Sequence, residues 1–512
     1  MVKFKTWTNE ALAAQCIFPK LDCDKYLLEL DYKEEIKELA RLGVGGFCVF
    51  NGTTESARNV LSELQIFPQV PLLFCADFEN GVTMRLEDGT DFPHAMALGK
   101  TGEFTGKVAK AIAKEAKDLG VLWNLAPVCD INSNPKNPII NIRAFGENSE
   151  VVSKNIVDYI NFLQGENVMA CAKHFPNHGD TKVDSHIEFP KIYKDYDELA
   201  DEIIPFIAAI NCGVKSIMVG HLFLEKIDDK YPASLSPKII CDILREKLNY
   251  KGIVVTDALD MKAITNSFKL EEIIKLAFLA GNDVLLMPEN PLKAIEILSD
   301  IIKENDEHRT KIEISVDKIY NCKRWVKLIP QYAKETTTSV FIEHQKLALR
   351  AALQAVEIQN EGMENFLPIS EEEDFAAFSI LQRAEDLQAA SRFFTMLAGA
   401  SENDCDFAYL DENISEDEIE AMLENIENAK FLIFALFYRR RAYAKGVENI
   451  DKLNYIIDKL AAGREYVTIL FGDPYIAEAI QSKLKIMTFS DSFPSLAAAI
   501  MKLTGRVLPD NY

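Results

Sequence analysis

Along residues 1–330 short β-branched or apolar runs alternate with longer amphipathic segments, the pattern of repeated βα units. Eight runs stand out, beginning at Ala13 (AAQCIF), Gly45 (GGFCVF), Pro71 (PLLFCAD), Val121 (VLWNLAPVCD), Val168 (VMACAKH), Ser216 (SIMVGH), Gly252 (GIVVTD) and Asp283 (DVLLMP). Helix-like sequence follows each of them. Eight such units predict a (β/α)₈ barrel over residues 1–333. An open doubly wound sheet would alternate in the same way, but no G-x-G-x-x-G follows an early strand to mark a dinucleotide crevice. Helix signals agree with the strand count. Ser236 and Pro237 supply an N-cap and a first-turn proline before KIICDILREKL, and Gly120, Gly213 and Gly281 stand where helices should stop.

The polar stretch 334–339 (KETTTS) follows a helix-like segment, 316–332, that can close the barrel, and it predicts a domain boundary. Beyond it, over 340–512, strand candidates at 375–381, 407–410, 431–438, 466–471 and 486–489 alternate with helix-like stretches such as 419–426 and 475–484. This predicts a smaller α/β sandwich. The acid-rich stretch 402–427 reads as solvated helix and loop surface.

Charge and composition narrow the function. With 56 basic against 79 acidic residues the formal net charge is −23, which repels phosphate backbones and anionic lipid, so neither nucleic acid nor a membrane surface is an expected partner. The basic run Arg439-Arg440-Arg441 reads as a solvated strand end. No apolar stretch approaches the roughly 18 residues of a membrane span, and residues 1–10 lack the apolar core of a secretory signal. Ten cysteines, among them Cys48, Cys75, Cys129 and Cys171, show no CxxC spacing, and many lie in apolar runs. A soluble protein of a reducing, cytoplasmic compartment is the expectation.

If the barrel holds, chemistry belongs at the C-terminal ends of its strands. Six of the eight runs end there in a polar group: Asn51, Asp77, Asp130, Lys173-His174, His221 and Asp257. The densest cluster is 173–186, KHFPNHGDTKVDSH, which gathers three of the seven histidines. Pro176 and Gly179 make it a loop, so His174 and His178 are not a one-face metal pair like H-E-x-x-H, although a metal-dependent hydrolase using Asp180, Asp184 and His186 stands as an alternative. Asp257 ends a buried-looking strand, where a fixed carboxylate can attack an anomeric carbon and stabilise its oxocarbenium-like charge. Asp260, further along, reads as a cap or surface residue.

The segments ADFENGV (76–82), NIRAFGEN (141–148), KHFPNHGDTKVDSH (173–186), GIVVTDALDM (252–261) and AGNDVLLMP (280–288) resemble, in order, the motif series of glycoside hydrolase family 3. The branch they are most similar to is that of the β-N-acetylglucosaminidases. The resemblance implies Asp257 as nucleophile and His186, paired with Asp184, as general acid/base. It implies further that Asp77, Arg143, Lys173 and His174 clasp the sugar hydroxyls, while Asp130 and His221 occupy family-like strand ends and bind substrate or support the site. No metal or cofactor is implied. The expected partner is a carbohydrate with a terminal N-acetylglucosamine, released by double displacement, and the implied role is cytoplasmic cell-wall recycling. A His–Asp pair leaves the deprotonated catalyst neutral, which repels an anionic acceptor less than a carboxylate would, so a phosphorylase is an alternative; a β-glucosidase and an inactive sugar-binding protein are others. The chain departs from the motifs at Asn177, Asn80, Ala144 and Asn148. These changes touch loop shape and leave every catalytic group in place.

Overall fold

The computed structural model describes residues 4–181, 189–327, 338–363, 366–370, 374–381, 384–401, 405–411, 413–438 and 450–507. They cluster into two compact units. The first comprises Met1–Thr90, Thr105–Ile140 and Ala144–Thr338, and the second comprises Asp91–Phe104, Asn141–Arg143 and Ser339–Tyr512. Two short stretches that fall within 1–333 by sequence order thus group with the second unit.

The first unit is a closed parallel barrel. Its strands are β1 (Ile17–Phe18), β2 (Lys20–Asp22), β3 (Cys48–Phe50), β4 (Phe74–Ala76), β5 (Val121–Asn124), β6 (Cys171–Phe175), β8 (Ser216–Val219), β10 (Ile253–Thr256) and β11 (Leu285–Leu286); β7 (Lys191–Ile192) and β9 (Phe223–Leu224) form a small parallel pair of their own. Parallel pairing runs β2-β3-β4-β5, then β6-β8-β10, then β11-β1. Single parallel bridges, Trp123 to Met169 and Val255 to Val284, close the remaining gaps. Since β1 and β2 are one strand interrupted at Pro19, eight barrel positions result, one in each predicted run. The start of the first run differs: Ala13–Gln15 end a helix, Asn9–Gln15, which Thr8 caps through the Ala11 amide. Leu12, Ala13, Ala14 and Gln15 are all buried there, so the apolar run is the buried end of a helix before it becomes a strand.

Packing fills the barrel. Trp123 is fully buried, stands edge-on to Phe18 at 5.4 Å, and donates its indole N–H to Ser216 Oγ at 2.8 Å. Helix ends follow the sequence signals. The Ser236 hydroxyl accepts the Ile239 amide ahead of the helix Lys238–Lys247, and Gly281 takes φ 109° where Leu270–Ala280 stops, a conformation that a side chain would strain.

The second unit is a six-stranded sheet with strand order β12-β17-β16-β15-β13-β14, where β12 is Glu357–Asn360, β13 Phe375–Leu381, β14 Asp406–Leu410, β15 Phe431–Tyr438, β16 Glu465–Gly472 and β17 Leu484–Met487. All pairs are parallel except β12 with β17. Along β15 successive side chains enter opposite layers: Phe431, Ile433, Ala435 and Phe437 join one core, and Leu432, Phe434, Leu436 and Tyr438 the other. Each fully buried Phe or Leu here contributes roughly 1.5–3 kcal/mol. This is the expected α/β sandwich with two local corrections. The helix expected over 475–484 is a 3-10 turn, Pro474–Ile476, followed by turns, because Leu484 already begins a strand. The strand expected at 486–489 ends at Met487. Arg439, Arg440 and Arg441 lie outside the described residues.

Asp283, 3% exposed at the entry to β11, anchors the barrel's closing strand. It receives Arg245 Nη2 at 2.6 Å, Lys318 Nζ at 2.9 Å, Ser315 Oγ at 2.8 Å and the Val254 amide at 2.9 Å. Removing Asp283 takes the shared counter-charge from Arg245 and Lys318, both half-buried, and the acceptor from Ser315 and the Val254 amide, both buried. Asp283→Ala should therefore lower unfolding stability by about 3–5 kcal/mol in urea titrations followed by circular dichroism, and a loss under about 1 kcal/mol would count against this anchor.

Candidate active site

Polar residues gather where the barrel strands end. Asp22 closes β2, Asn51 follows β3, Asp77 follows β4, Asn124 closes β5, Lys173 and His174 lie in β6, His221 comes two residues after β8, and Asp257 follows β10 directly. Parallel strands place these ends on one rim of the barrel.

At its centre is a buried cation. Lys173 is 2% exposed, and its Nζ meets Asp77 Oδ1 at 2.7 Å and Glu79 Oε1 at 2.7 Å. The other Asp77 oxygen takes Arg85 Nη2 at 2.7 Å. Burial alone would raise the Asp77 carboxyl, but Lys173 and Arg85 outweigh both burial and the repulsion of Glu79, and hold it well below the usual carboxylate range. Asn124 fixes the backbone of this turn: its Oδ1 accepts the Phe78 amide at 3.0 Å, and its Nδ2 donates to Phe78 O at 3.0 Å. The Tyr159 hydroxyl donates to the same carbonyl at 3.1 Å.

Asp130 organises the next sector. It is fully buried, pairs with His174 Nδ1 at 2.7 Å, and accepts the amides of His174 at 3.2 Å and His178 at 2.7 Å. Burial pushes its carboxyl up, yet His174 and His178 together keep it below its ordinary value. The loop after β6 is clamped to the loop after β5. Asn177 Oδ1 accepts the Ile131 amide at 2.9 Å, and Asn137 Nδ2 donates to His178 O at 2.8 Å. A side chain at Gly179 would put Cβ 1.5 Å from Ile131 O, so only glycine fits. Asn177, a departure from the family motif, thus performs a clamp of its own. The described residues beyond the loop are held as well. Lys194 joins Asp180 at 2.8 Å to Glu202 at 2.5 Å, and the Phe223 amide donates to Pro190 O at 2.9 Å.

Asp257 is partly exposed, unlike Asp130. Its amide donates to Val219 O at 3.0 Å, and its Oδ1 accepts the Ala258 amide at 2.8 Å. Desolvation raises its carboxyl, but His174, His221, the Ala258 amide and Lys173 together bring it below the ordinary value. The group is therefore ionised at neutral pH. His221, fully buried, has Nε2 2.9 Å from Ala258 O and Nδ1 2.7 Å from Ser234 Oγ. A carbonyl only accepts, so Nε2 carries a proton, and the ring holds the turn that presents Asp257.

The predicted residues thus divide. Asp77, Lys173, His174, Asp130, His221 and Asp257 come together on the rim of the first unit. Asp130 and His221 are fully buried, the first bonded to His174 and the second to the Ala258 carbonyl. Arg143 ends the 3-10 turn Asn141–Arg143, which groups with the second unit. His186 and Asp184 lie outside the described residues. Sequence reasoning missed Glu79, Arg85 and Asn124, although Glu79 stands inside a quoted motif and Asn124 ends a predicted strand. Among the described residues no three His, Cys, Asp or Glu side chains are grouped to hold a metal ion.

Comparison with known proteins gives a consistent picture. The sequence model of the glycosyl hydrolase family 3 N-terminal domain matches residues 22–322. Beta-hexosaminidase A of Pseudoalteromonas piscicida is 32% identical over 388 residues, covering 67% of this chain and 64% of the relative. A beta-N-acetylglucosaminidase/beta-glucosidase of Cellulomonas fimi is 31% identical over 262 residues, covering 49% of this chain and 46% of the relative. The chain thus spans about half to two thirds of these relatives' length. The structure of a glycoside hydrolase family 3 beta-N-acetylglucosaminidase from Paenibacillus sp. str. FPU-7 superposes with a TM-score of 0.82 at 24% identity, covering 99% of this chain and 98% of that one. It has the same fold.

The depressed carboxyls tie the rim to pH. An unfolded aspartate titrates near about 3.9, and a lower folded value contributes stability that is fully present above that point and lost as pH falls through the folded value. Melting temperature should therefore fall steadily below about pH 4. Asp130→Asn should lower it at pH 7 and make the acid-side decline shallower, as read by calorimetry from pH 7 to 2.5. An unchanged acid slope would show that Asp130 does not take part in this linkage.

Proposed function

The chain belongs to glycosyl hydrolase family 3, and on that premise we propose that it is a retaining exo-β-glycosidase releasing terminal N-acetyl-β-D-glucosamine. One observation carries the reading: an ionised, partly exposed carboxylate, Asp257, held at a strand end among His174, His221 and Lys173. A nucleophile toward an anomeric carbon must be charged, fixed and reachable, and Asp257 meets each condition.

In the first step Asp257 forms a bond to the anomeric carbon as the bond to the leaving oxygen breaks, and His186 gives that oxygen its proton. In the second His186 takes a proton from water, the water oxygen bonds to the anomeric carbon, and the ester to Asp257 breaks. Two inversions restore the original configuration. Asp184 orients the imidazole and supports its charged form. His186 and Asp184 are assigned from the motif in which they stand. Asp77, Lys173 and His174 take the sugar hydroxyls. The paired charges of the first two leave acceptors and donors in fixed directions, which suits a ligand that both donates and accepts.

The relatives' names, two of which denote action on N-acetylhexosamines, support the 2-acetamido preference. We place the substrate among muropeptides or related glycans and the protein in the cytoplasm. Buried thiols at Cys16, Cys23, Cys48, Cys75, Cys129 and Cys171 agree with a reducing setting. No helix among the described residues is long and apolar enough to cross a membrane.

Asp257→Ala should lower kcat on an aryl N-acetyl-β-glucosaminide by about 10⁴-fold or more, as loss of one member of a nucleophilic set does. Retained turnover would overturn the assignment. Across aryl glycosides differing at the 2-position, acetamido should be favoured over hydroxyl, and phosphate buffer should yield free sugar with no sugar 1-phosphate.

A further inference from the structure

The first unit carries a cavity of about 270 Å³ that the chemistry above does not use. It opens where the barrel closes on itself: β2, the turn after β10 and the turn after β11 supply one side, and the helix Leu30–Leu42 the other. None of Asp77, Lys173, His174 and Asp257 lines it. Its walls carry Lys20, Lys25, Glu35, Asp260 and Glu289, all exposed to solvent, together with the buried Asp22, above an apolar floor that includes Ile36 and Met287. Asp260, which reads from sequence as a cap or surface residue, caps no helix and is a wall of this cavity.

Three features together describe an occupant. Carboxylates only accept hydrogen bonds and ammonium groups only donate them, whereas a hydroxyl does both. A ligand ringed with hydroxyls can satisfy charged groups of both signs at once, while a hydrocarbon would leave them unpaired and an anion would face four carboxylates, Asp22, Glu35, Asp260 and Glu289. The apolar floor fits the C–H face of a pyranose, and the volume, at the low end for a small-molecule site, suits one sugar unit. Location supplies the rest. Asp260 is three residues beyond Asp257 on the same turn, close enough that the Asp257 charge pushes its carboxyl up, together with desolvation and against Lys20. In an exo-acting enzyme whose terminal sugar occupies the Asp77–Lys173–His174 cluster, the adjoining unit belongs to the leaving group.

We infer that this cavity is the leaving-group subsite, taking a neutral, hydroxyl-rich sugar residue on the reducing side of the bond that is cut. The inference rests on the glycosidase reading and deepens it, because it makes Lys20 and Asp260 determinants of which glycans are accepted.

Wild type, Lys20→Met and Asp260→Asn, altered only at exposed positions, are assayed on di-N-acetylchitobiose and on p-nitrophenyl N-acetyl-β-glucosaminide. The expected result is a fall of about tenfold in the ratio of kcat/KM for the disaccharide to kcat/KM for the aryl substrate, mostly through KM, as loss of a hydrogen bond to a charged group predicts. An unchanged ratio in both variants, or an equal fall on both substrates, overturns the subsite. Wild type inert toward both substrates overturns the glycosidase reading beneath it, and the two failures are told apart by that control.

Discussion

A lysine ammonium that is almost wholly buried must be neutralised where it stands, and the rim of this barrel is arranged around that requirement at Lys173. Its two partners, Asp77 and Glu79, come from the turn after a different strand, 96 residues away for Asp77, so the charge pair fixes the end of β6 against the end of β4. An unpaired cation there would forfeit several kcal/mol. Asn124 reinforces the arrangement by holding the backbone between the two carboxylates, and Arg85 balances what would otherwise be an excess of negative charge. With β4, β5 and β6 set in this way, His174 has a fixed place between Asp130 and the nucleophile.

A second constraint is steric. The loops after β5 and β6 lie so close that Gly179 admits no side chain, and the Asn177 amide spans the contact. A residue foreign to the family pattern has here become a structural link in its own right. Substitutions next to catalytic groups need not loosen a site when they gain a hydrogen-bond partner in exchange.

Much of this architecture is legible in the chain. Each of the eight barrel strands begins within a predicted run, because strands buried on both faces are nearly continuous apolar sequence bounded by polar groups. The strand β12, EIQN, escapes notice for the opposite reason: every residue is exposed, and only its antiparallel register with β17 makes it a strand. Strand-end positions expose Asp77, His174 and Asp257 as candidates. The same logic cannot reveal Arg85 or Glu79, whose roles depend on a lysine brought to them by the fold. Nor does a strand-end address reveal which groups bond to one another, as Asp130 does to His174 and His221 to the Ala258 carbonyl.

The interleaving of the two units along the chain has its own corollary. Met96 and Ala97 pack in the core of the second sheet, and His94 bonds Ser490 across 396 residues. During synthesis these early residues wait until nearly the whole polypeptide has left the ribosome before they find their neighbours. Contacts this distant in sequence make for slow assembly. They also mean that a gene cut at one point cannot yield both units intact, so shuffling of this sandwich among other enzymes would have to carry its borrowed segments along.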